Sequence, residues 1–255
     1  MYKKLVILTI ICVIMTRLVV VRCVESDVDS VKYLDYIEEK VIYLTFDDGP
    51  SPNTNKILNI LKEEDVKATF FVIGNQVDIY KDTVKKLEEA GMCILPHTNT
   101  HNYRKIYKTS KDYFEDLNIC REKIKNVTLK DPVNFVRFPG GVNNELLNND
   151  VLSEIREKFL DDKCYFIAWN VYGLDAEINP KDSNTIYRAT INQLCNMPKA
   201  MVLLHDGYGN VNTANCVRNI IVQAKNFGYK LKTLEEITEK DFDYFVKKNV
   251  INKRG

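Results

Sequence analysis

From residue 41 onward the chain alternates between short apolar runs and longer stretches with helical spacing. The first run, 41–46, stops at Asp-Asp-Gly-Pro, a strong turn signal. Residues 54–63 then carry Ile57, Ile60 and Leu61 at helical spacing. A β-branched and aromatic run over 67–73 predicts a second strand, and 76–90 predicts a helix that stops at Gly91. A third strand is expected at 93–96. A long amphipathic helix follows over 110–127, with Phe114, Leu117, Cys120 and Ile124 on one face. The alternation continues with strand 135–138, helix 144–159, strand 164–169, helix 185–195, strand 200–204 and helix 211–227. Residues 229–231 predict a last strand ahead of 233–237. Strands alternating with helices on short loops give an α/β fold with a parallel sheet. Seven strand–helix pairs without a break point to a closed or nearly closed (β/α) barrel, not an open doubly wound sheet. No strand is followed by GxGxxG, GxxxxGK[ST] or GxSxG, so dinucleotide, P-loop and nucleophile-elbow readings lose their basis.

The first 40 residues depart from this pattern. Lys3 and Lys4 precede residues 5–16, in which only Thr9 and Thr16 are not apolar, and 18–21 continue the run. Residues 1–23 therefore read as a secretory signal peptide cut near Cys23, or as an N-terminal membrane anchor that would tether the protein. Arg17 interrupts the apolar run, and Arg22 stands where a lipoprotein signal wants a small residue. Either reading puts the domain outside the cytoplasm, as an extracellular or cell-surface protein. Residues 24–40 are polar and acidic and read as a linker, 41–240 as one domain, and 241–255 as a C-terminal tail.

Composition changes this picture little. Hydrophobic residues make up 45% and charged residues 28% of the 255, as in ordinary globular chains. Residues 1–23 hold four basic side chains and no acid, so the remainder carries 36 − 4 = 32 basic against 35 acidic, about −3. That balance argues against a nucleic-acid partner. Cys93, Cys120, Cys164, Cys195 and Cys216 form no CxxC or tight cluster, and buried free thiols are the expectation.

The polar residues worth weighing sit at the C-terminal ends of the predicted strands, the rim on which active sites of parallel barrels assemble. Taken alone, Asp47-Asp48-Gly49-Pro50 reads as a turn, and His97 and His101 read equally well as surface histidines. The chain has only three histidines, however, and two share this short loop, while His205 ends another strand. One aspartate with His97 and His101 can hold a cation with positions left open for water and substrate; the other aspartate can take a proton. Arg137 follows a further rim strand and can keep a carboxylate ionised and oriented, and Asp175 can hold that arginine in turn.

Together these strings resemble the polysaccharide deacetylases, the NodB-homology carbohydrate esterases, in order over about residues 41–235. Thr45-Phe46-Asp47-Asp48-Gly49-Pro50 looks like the first family motif, His97-Thr98-Asn99-Thr100-His101 the metal motif H[ST]xxH, Arg137-Phe138-Pro139-Gly140 the third, and Leu203-Leu204-His205 the last. The fourth motif is loosest: Asp175-Ala176 keeps the acid without the usual tryptophan, and Ala168 stands where many members carry Asp. The resemblance implies a distorted, seven-stranded barrel. It implies one divalent ion, usually zinc, with cobalt or another ion in some relatives, on Asp48, His97 and His101. It further implies Asp47 as general base, His205 as general acid, Arg137 orienting Asp47, and Asp175 supporting Arg137. Gly140 would give its N–H to the oxyanion, and Leu203 would line the methyl pocket. The expected substrate is a polysaccharide, with N-acetylglucosamine of peptidoglycan foremost. The competing readings are an O-deacetylase of acetylated xylan or another wall sugar, a non-catalytic carbohydrate-binding relative, and a structural metal protein.

Overall fold

The computed structural model describes residues 39–195 and 197–252; the expected leader, and the expected linker up to residue 38, lie outside them. Eight strands follow in chain order: β1 Val41–Asp47, β2 Thr69–Val72, β3 Cys93–Pro96, β4 Phe135–Val136, β5 Tyr165–Phe166, β6 Val171–Tyr172, β7 Lys199–His205 and β8 Lys230–Lys232. The helices between and after them are α1 Pro52–Glu63, α2 Gly74–Ile79, α3 Lys81–Glu89, α4 Tyr103–Ile106, α5 Ser110–Thr128, α6 Asn149–Asp161, α7 Ser183–Leu194, α8 Val211–Asn226 and α9 Glu239–Lys247. Every strand pair is parallel. One sheet runs β3-β2-β1-β7-β6 and a second pairs β4 with β5. The strands thus go round in barrel order, with the ladder interrupted between β3 and β4 and between β5 and β6. β1 pairs with β7 along its whole length, while its other edge is shared: β8 takes Val41–Tyr43 and β2 takes Thr45–Asp47.

A parallel strand covered on both sides is apolar throughout, and β1 is buried at all seven positions. The two-residue period of a strand then decides what faces inward. Ile42, Leu44 and Phe46, with Ala200, Val202 and Leu204 of β7, pack outward under the helices. Val41, Tyr43, Phe71, Cys93, Leu95 and Met201 form the interior instead. Continuing the same period carries Thr45 and Asp47, His97, Arg137, and Leu203 and His205 inward at the C-terminal mouth. Polar residues therefore converge there because each strand sends its odd positions inside.

Several expected boundaries shift for physical reasons. The helix expected over 76–90 is two helices meeting at Tyr80, whose φ −114° and ψ 40° are not helical. α6 starts at Asn149 instead of 144, because the Asn148 side chain accepts the Val151 N–H at 2.9 Å and caps it. The strand expected over 164–169 keeps only Tyr165–Phe166, paired with β4, and a separate strand at Val171–Tyr172, which the sequence reading did not include, pairs with β7. On α5 the buried face holds Tyr113 and Asp116 beside Leu117, Cys120 and Ile124, with Phe114 only partly buried. The described cysteines are all free, four of them buried and Cys195 exposed. Among the described residues no helix is long and apolar enough to cross a membrane.

The segment read as a C-terminal tail is part of the core. Phe245 on α9 is fully buried, and residues 250–252 return along β5, where Ala168 N–H donates to Val250 O at 2.7 Å and Asn252 N–H to Phe166 O at 2.9 Å. Asp241 closes the bottom of the barrel: it pairs with Lys199 of β7 and accepts the Tyr43 hydroxyl at 2.7 Å, all three side chains being buried. Breaking a buried pair by removing one partner leaves an uncompensated charge. Asp241→Ala is therefore expected to lower unfolding free energy by roughly 3–5 kcal/mol in denaturant titration, and Lys199→Met combined with Asp241→Leu to recover most of it. A single-mutant cost below about 1 kcal/mol, the size of an exposed pair, would show that the helix is held by packing alone.

Candidate active site

A cleft of about 370 Å³ opens at the C-terminal mouth, lined by Asp47, Asp48, His97, His101, Gly140, Leu203 and His205 together with Tyr103, Gly141, Trp169, Tyr172 and Ala176. A larger cavity of about 700 Å³ lies between α6 and the C-terminal segment, where Arg156 is its one charged lining residue and Cys164 sits among apolar groups. Only the first brings acids and imidazoles together, so it is the candidate site.

Asp47 and Asp48 end β1 and part ways. Asp47 points inward and is 3% exposed. Its Oδ1 accepts from Arg137 Nη1 at 2.8 Å, and its Oδ2 lies 3.7 Å from His97 Nε2. Asp48 adopts φ 75°, a turn of the backbone that swings its carboxylate to the rim. There its Oδ1 lies 3.2 Å from His101 Nε2 and 3.6 Å from His97 Nε2, buried and without a hydrogen-bond partner.

His97 is fixed from behind. Its Nδ1 is 3.0 Å from the Arg137 carbonyl, which can only accept, so Nδ1 carries the proton and Nε2 is bare toward Asp48. Burial, then the neighbouring His101, pushes the His97 pKa down to about 3, which keeps the ring neutral. One ligand atom each from Asp48, His97 and His101 lies within 4.8 Å of the others. Two imidazole nitrogens, one of them shown neutral, and an orphaned buried carboxylate oxygen fit a divalent cation and leave the cleft side open. The orphaned oxygen is the decisive part of that fit, since a buried polar atom without a partner is costly.

Arg137 is 1% exposed, and each of its three guanidinium nitrogens is hydrogen-bonded. Nε donates to Ile167 O at 3.1 Å, Nη2 to Ala168 O at 3.3 Å, and Nη1 to Thr45 Oγ1 at 2.6 Å as well as to Asp47. Its guanidinium lies 4.2 Å from the Phe71 ring centroid. The expected partnership of Asp175 with Arg137 is not what forms. Asp175 instead accepts the His205 backbone N–H at 2.7 Å and faces His205 Nδ1 at 2.9 Å, and its Oδ2 also takes the Thr213 hydroxyl at 2.8 Å. The reason is topological: residues 173–175 follow β6, which pairs with β7, so the loop beyond it lies over the end of β7 and away from β4. Burial alone would lower the His205 pKa, but Asp175, with Asp47 and Asp48 behind it, outweighs burial and raises it to about 9.

Gly140 adopts φ 70°, which favours glycine, and a Cβ there would fall 2.4 Å from Asn144 Nδ2 and displace that side chain. Its N–H makes no hydrogen bond among the described residues. Leu203 is 3% exposed on the cleft floor. Sequence reasoning missed the aromatic wall of Tyr103, Trp169 and Tyr172, a surface suited to the apolar faces of sugar rings. It also missed two buried acids behind the site, Asp116 and Asp206. Adjacency to His205 was the available signal for Asp206. For Asp116 it was an acid on the apolar face of an amphipathic helix.

Comparison with known proteins agrees with this geometry. The family model described as polysaccharide deacetylase matches residues 36–156. Over 203 residues the chain is 34% identical to a peptidoglycan-N-acetylglucosamine deacetylase of Bacillus cereus, covering 78% of this chain and 71% of that one. Over 207 residues it is 31% identical to the peptidoglycan-N-acetylmuramic acid deacetylase PdaA of Bacillus subtilis, covering 80% and 74%. The catalytic domain of a peptidoglycan N-acetylglucosamine deacetylase from Eubacterium rectale superposes with TM-score 0.72 at 30% identity, over 76% of this chain and 88% of that one. This chain belongs to the polysaccharide deacetylase family, hydrolases that remove acetyl groups from sugar polymers.

Proposed function

We propose that this protein is a metal-dependent N-deacetylase that acts on N-acetylglucosamine of peptidoglycan outside the cytoplasm. The observation that carries the reading is the orphaned Asp48 oxygen beside two imidazole nitrogens, flanked by one arginine-held carboxylate and one aspartate-held imidazole. Asp48, His97 and His101 would hold the cation, zinc being the expected ion. A divalent cation there supplies Lewis-acid polarisation and an activated water.

The remaining steps belong to the chain itself. Asp47 is the base: Arg137 occupies Oδ1 and leaves Oδ2 to take the proton of the attacking water. The free Gly140 N–H faces the oxyanion that develops when water adds to the acetyl carbon, an effect worth roughly 100- to 1000-fold. His205 is the acid: with Nδ1 on Asp175, Nε2 is the nitrogen left for the cleft, and a pKa of about 9 keeps it protonated at neutral pH. It gives that proton to the sugar nitrogen as the C–N bond breaks, releasing acetate and a free amine. Leu203 receives the acetyl methyl. The lactyl ether of N-acetylmuramic acid crowds the carbons beside its amide, which favours N-acetylglucosamine as the unit attacked.

The division of labour is testable by separating binding from turnover. Asp47→Asn is expected to keep the divalent ion and lose catalysis, whereas His97→Ala should lose the ion; metal analysis beside activity decides it. An Asp47→Asn protein that folds but cannot hold metal would overturn the assignment. For His205, alanine should damage amide cleavage far more than cleavage of an aryl acetate, whose leaving group departs unprotonated. Equal losses on both substrates would give His205 another role.

The same residue sets a pH dependence. His205 is the competent acid only while protonated, so activity should fall as pH rises through about 9. Asp175→Asn removes the charge that offsets burial and should move that descending limb to lower pH; a limb that stays in place would refute the acid assignment. Substrate choice is settled by treating purified wall, labelling free amines, digesting and identifying the modified sugar by mass. Glucosamine is the expected product. Acetate from acetylated xylan with none from peptidoglycan would support the O-deacetylase reading, and deacetylated muramic acid would overturn the choice of sugar.

A further inference from the structure

Three residues at the proposed cation site hold left-handed backbone although none is glycine: Asp48 at φ 75°, Thr98 at φ 65° and His101 at φ 54°. Asp48 and His101 belong to the candidate ligand set. Thr98 lies between the two histidines, and its hydroxyl accepts the His101 N–H at 3.3 Å. Such backbone is unfavourable for a side chain with a Cβ, most of all for a β-branched one, and persists only where the surroundings over-determine it. The unusual turns are what bring the two ligand-bearing loops together, since each redirects the chain just past a strand end.

Two buried carboxylates outside the ligand set supply that determination. Asp206 is 0% exposed and lies behind the Asp48 loop. Its Oδ2 takes the Thr54 hydroxyl, while its main chain, independently of the carboxylate, donates N–H to Asp47 O at 2.9 Å and accepts the Ser51 hydroxyl at 2.5 Å. A Cβ on Gly49 would fall 2.2 Å from Asp206 Oδ2, so the carboxylate occupies the side-chain space of the residue that follows Asp48. Asp116, 1% exposed on α5, does the same for the histidine loop. Its Oδ1 accepts the Asn99 and Thr100 N–H groups at 2.6 and 2.9 Å, and its Oδ2 takes the Thr100 hydroxyl at 2.9 Å and faces Lys105 Nζ at 3.4 Å. Asn99 and Thr100 are the two residues between Thr98 and His101, the segment that makes both left-handed turns.

We propose that Asp206 and Asp116 are positioning residues, buried clamps that hold the Asp48 loop and the His97–His101 loop in the strained backbone that makes them one cation site. The inference rests on the metal reading given above. Neither carboxylate belongs to the ligand set: Asp116 acts through the Asn99 and Thr100 N–H groups, and Asp206 by filling the space beside Gly49. The clamps also divide the work by side of the site. The Asp206 carboxylate lies against Gly49 and takes the Thr54 hydroxyl, tying the loop after β1 to α1, and Asp116 ties the loop after β3 to α5.

The test measures affinity of the metal-free full chain for Zn²⁺ or Co²⁺ alone, by competition with a chelator and with no substrate present. Asp116→Ala and Asp206→Ala are each expected to weaken binding by roughly 10- to 100-fold, the effect usual for groups that orient ligands. Asparagine at either position keeps an acceptor of similar shape, and should fall between wild type and alanine. Because glycine tolerates left-handed backbone unaided, Thr98→Gly added to Asp116→Ala or Asp116→Asn should recover part of the loss, and added to the Asp206 variants should not. Wild-type affinity in the folded alanine variants overturns the inference; where alanine does not fold, wild-type affinity in both asparagine variants does so. A loss that Thr98→Gly leaves untouched at Asp116 also overturns it, because a generally loosened fold has no reason to respond to that glycine. A wild-type chain that binds neither ion would instead defeat the metal reading itself, and this inference with it.

Discussion

The structure depends on one buried cation. Arg137 leaves β4 at the break between the two sheets, where no strand ladder connects them. Its guanidinium reaches Ile167 and Ala168 carbonyls on one side and Thr45 and Asp47 of β1 on the other. Side-chain hydrogen bonds thereby do what backbone pairing does elsewhere in the barrel. A buried arginine is tolerable only when its charge is met and its donors are paired; here Asp47 meets the charge and four hydrogen bonds engage all three nitrogens. The same residue orients the candidate base through its side chain and sets the His97 tautomer through its carbonyl. Closure of the barrel and preparation of the site are consequently one event.

The second constraint is the two-residue period of the strands. It makes Asp47, Arg137, Leu203 and His205 continuations of the inward rows that begin, further down, with Val41, Tyr43, Phe71 and Met201. The interior is apolar in the middle, ionic at the bottom through Lys199 and Asp241, and chemically active at the mouth. Strand position brings Asp47, Arg137 and His205 together, and the loops just beyond the strand ends add Asp48, His101 and Asp175.

Much of this was legible before any coordinates. Apolar runs ending in Asp-Asp, His, Arg or His located the rim, and their order matched a family. What escaped was whatever depends on contacts between distant segments. The family resemblance assigns Asp175 to Arg137; nothing local says that the loop after β6 lies over β7 and meets His205. The 241–255 segment reads as a tail because it follows the last predicted strand, yet Phe245, Val250 and Ile251 are all buried. Asp116 and Asp206 hid for another reason. The signals they carry, an acid on an apolar helix face and an acid beside His205, name no partner, and only the three-dimensional fold sets Asp116 on the Asn99 and Thr100 N–H groups and Asp206 against Gly49 and Thr54.

The two interior histidines show how the fold assigns opposite chemistry to one residue type. His97 and His205 are both buried at inward positions, and burial acts on both to disfavour the imidazolium. The difference is the partner of Nδ1. For His97 it is the neutral carbonyl of Arg137, so nothing offsets burial enough and the ring stays a neutral donor of an electron pair. For His205 it is the carboxylate of Asp175, which stabilises the charged ring and keeps a proton available in the cleft. Exchanging those two partners would make the candidate ligand cationic and the candidate acid proton-poor, and the cleft would lose both functions with every side chain still in place. The separation of ligand from acid therefore resides in which backbone or side-chain oxygen stands behind each ring, a choice made by β4 beside β3 and by the loop of β6 beside β7.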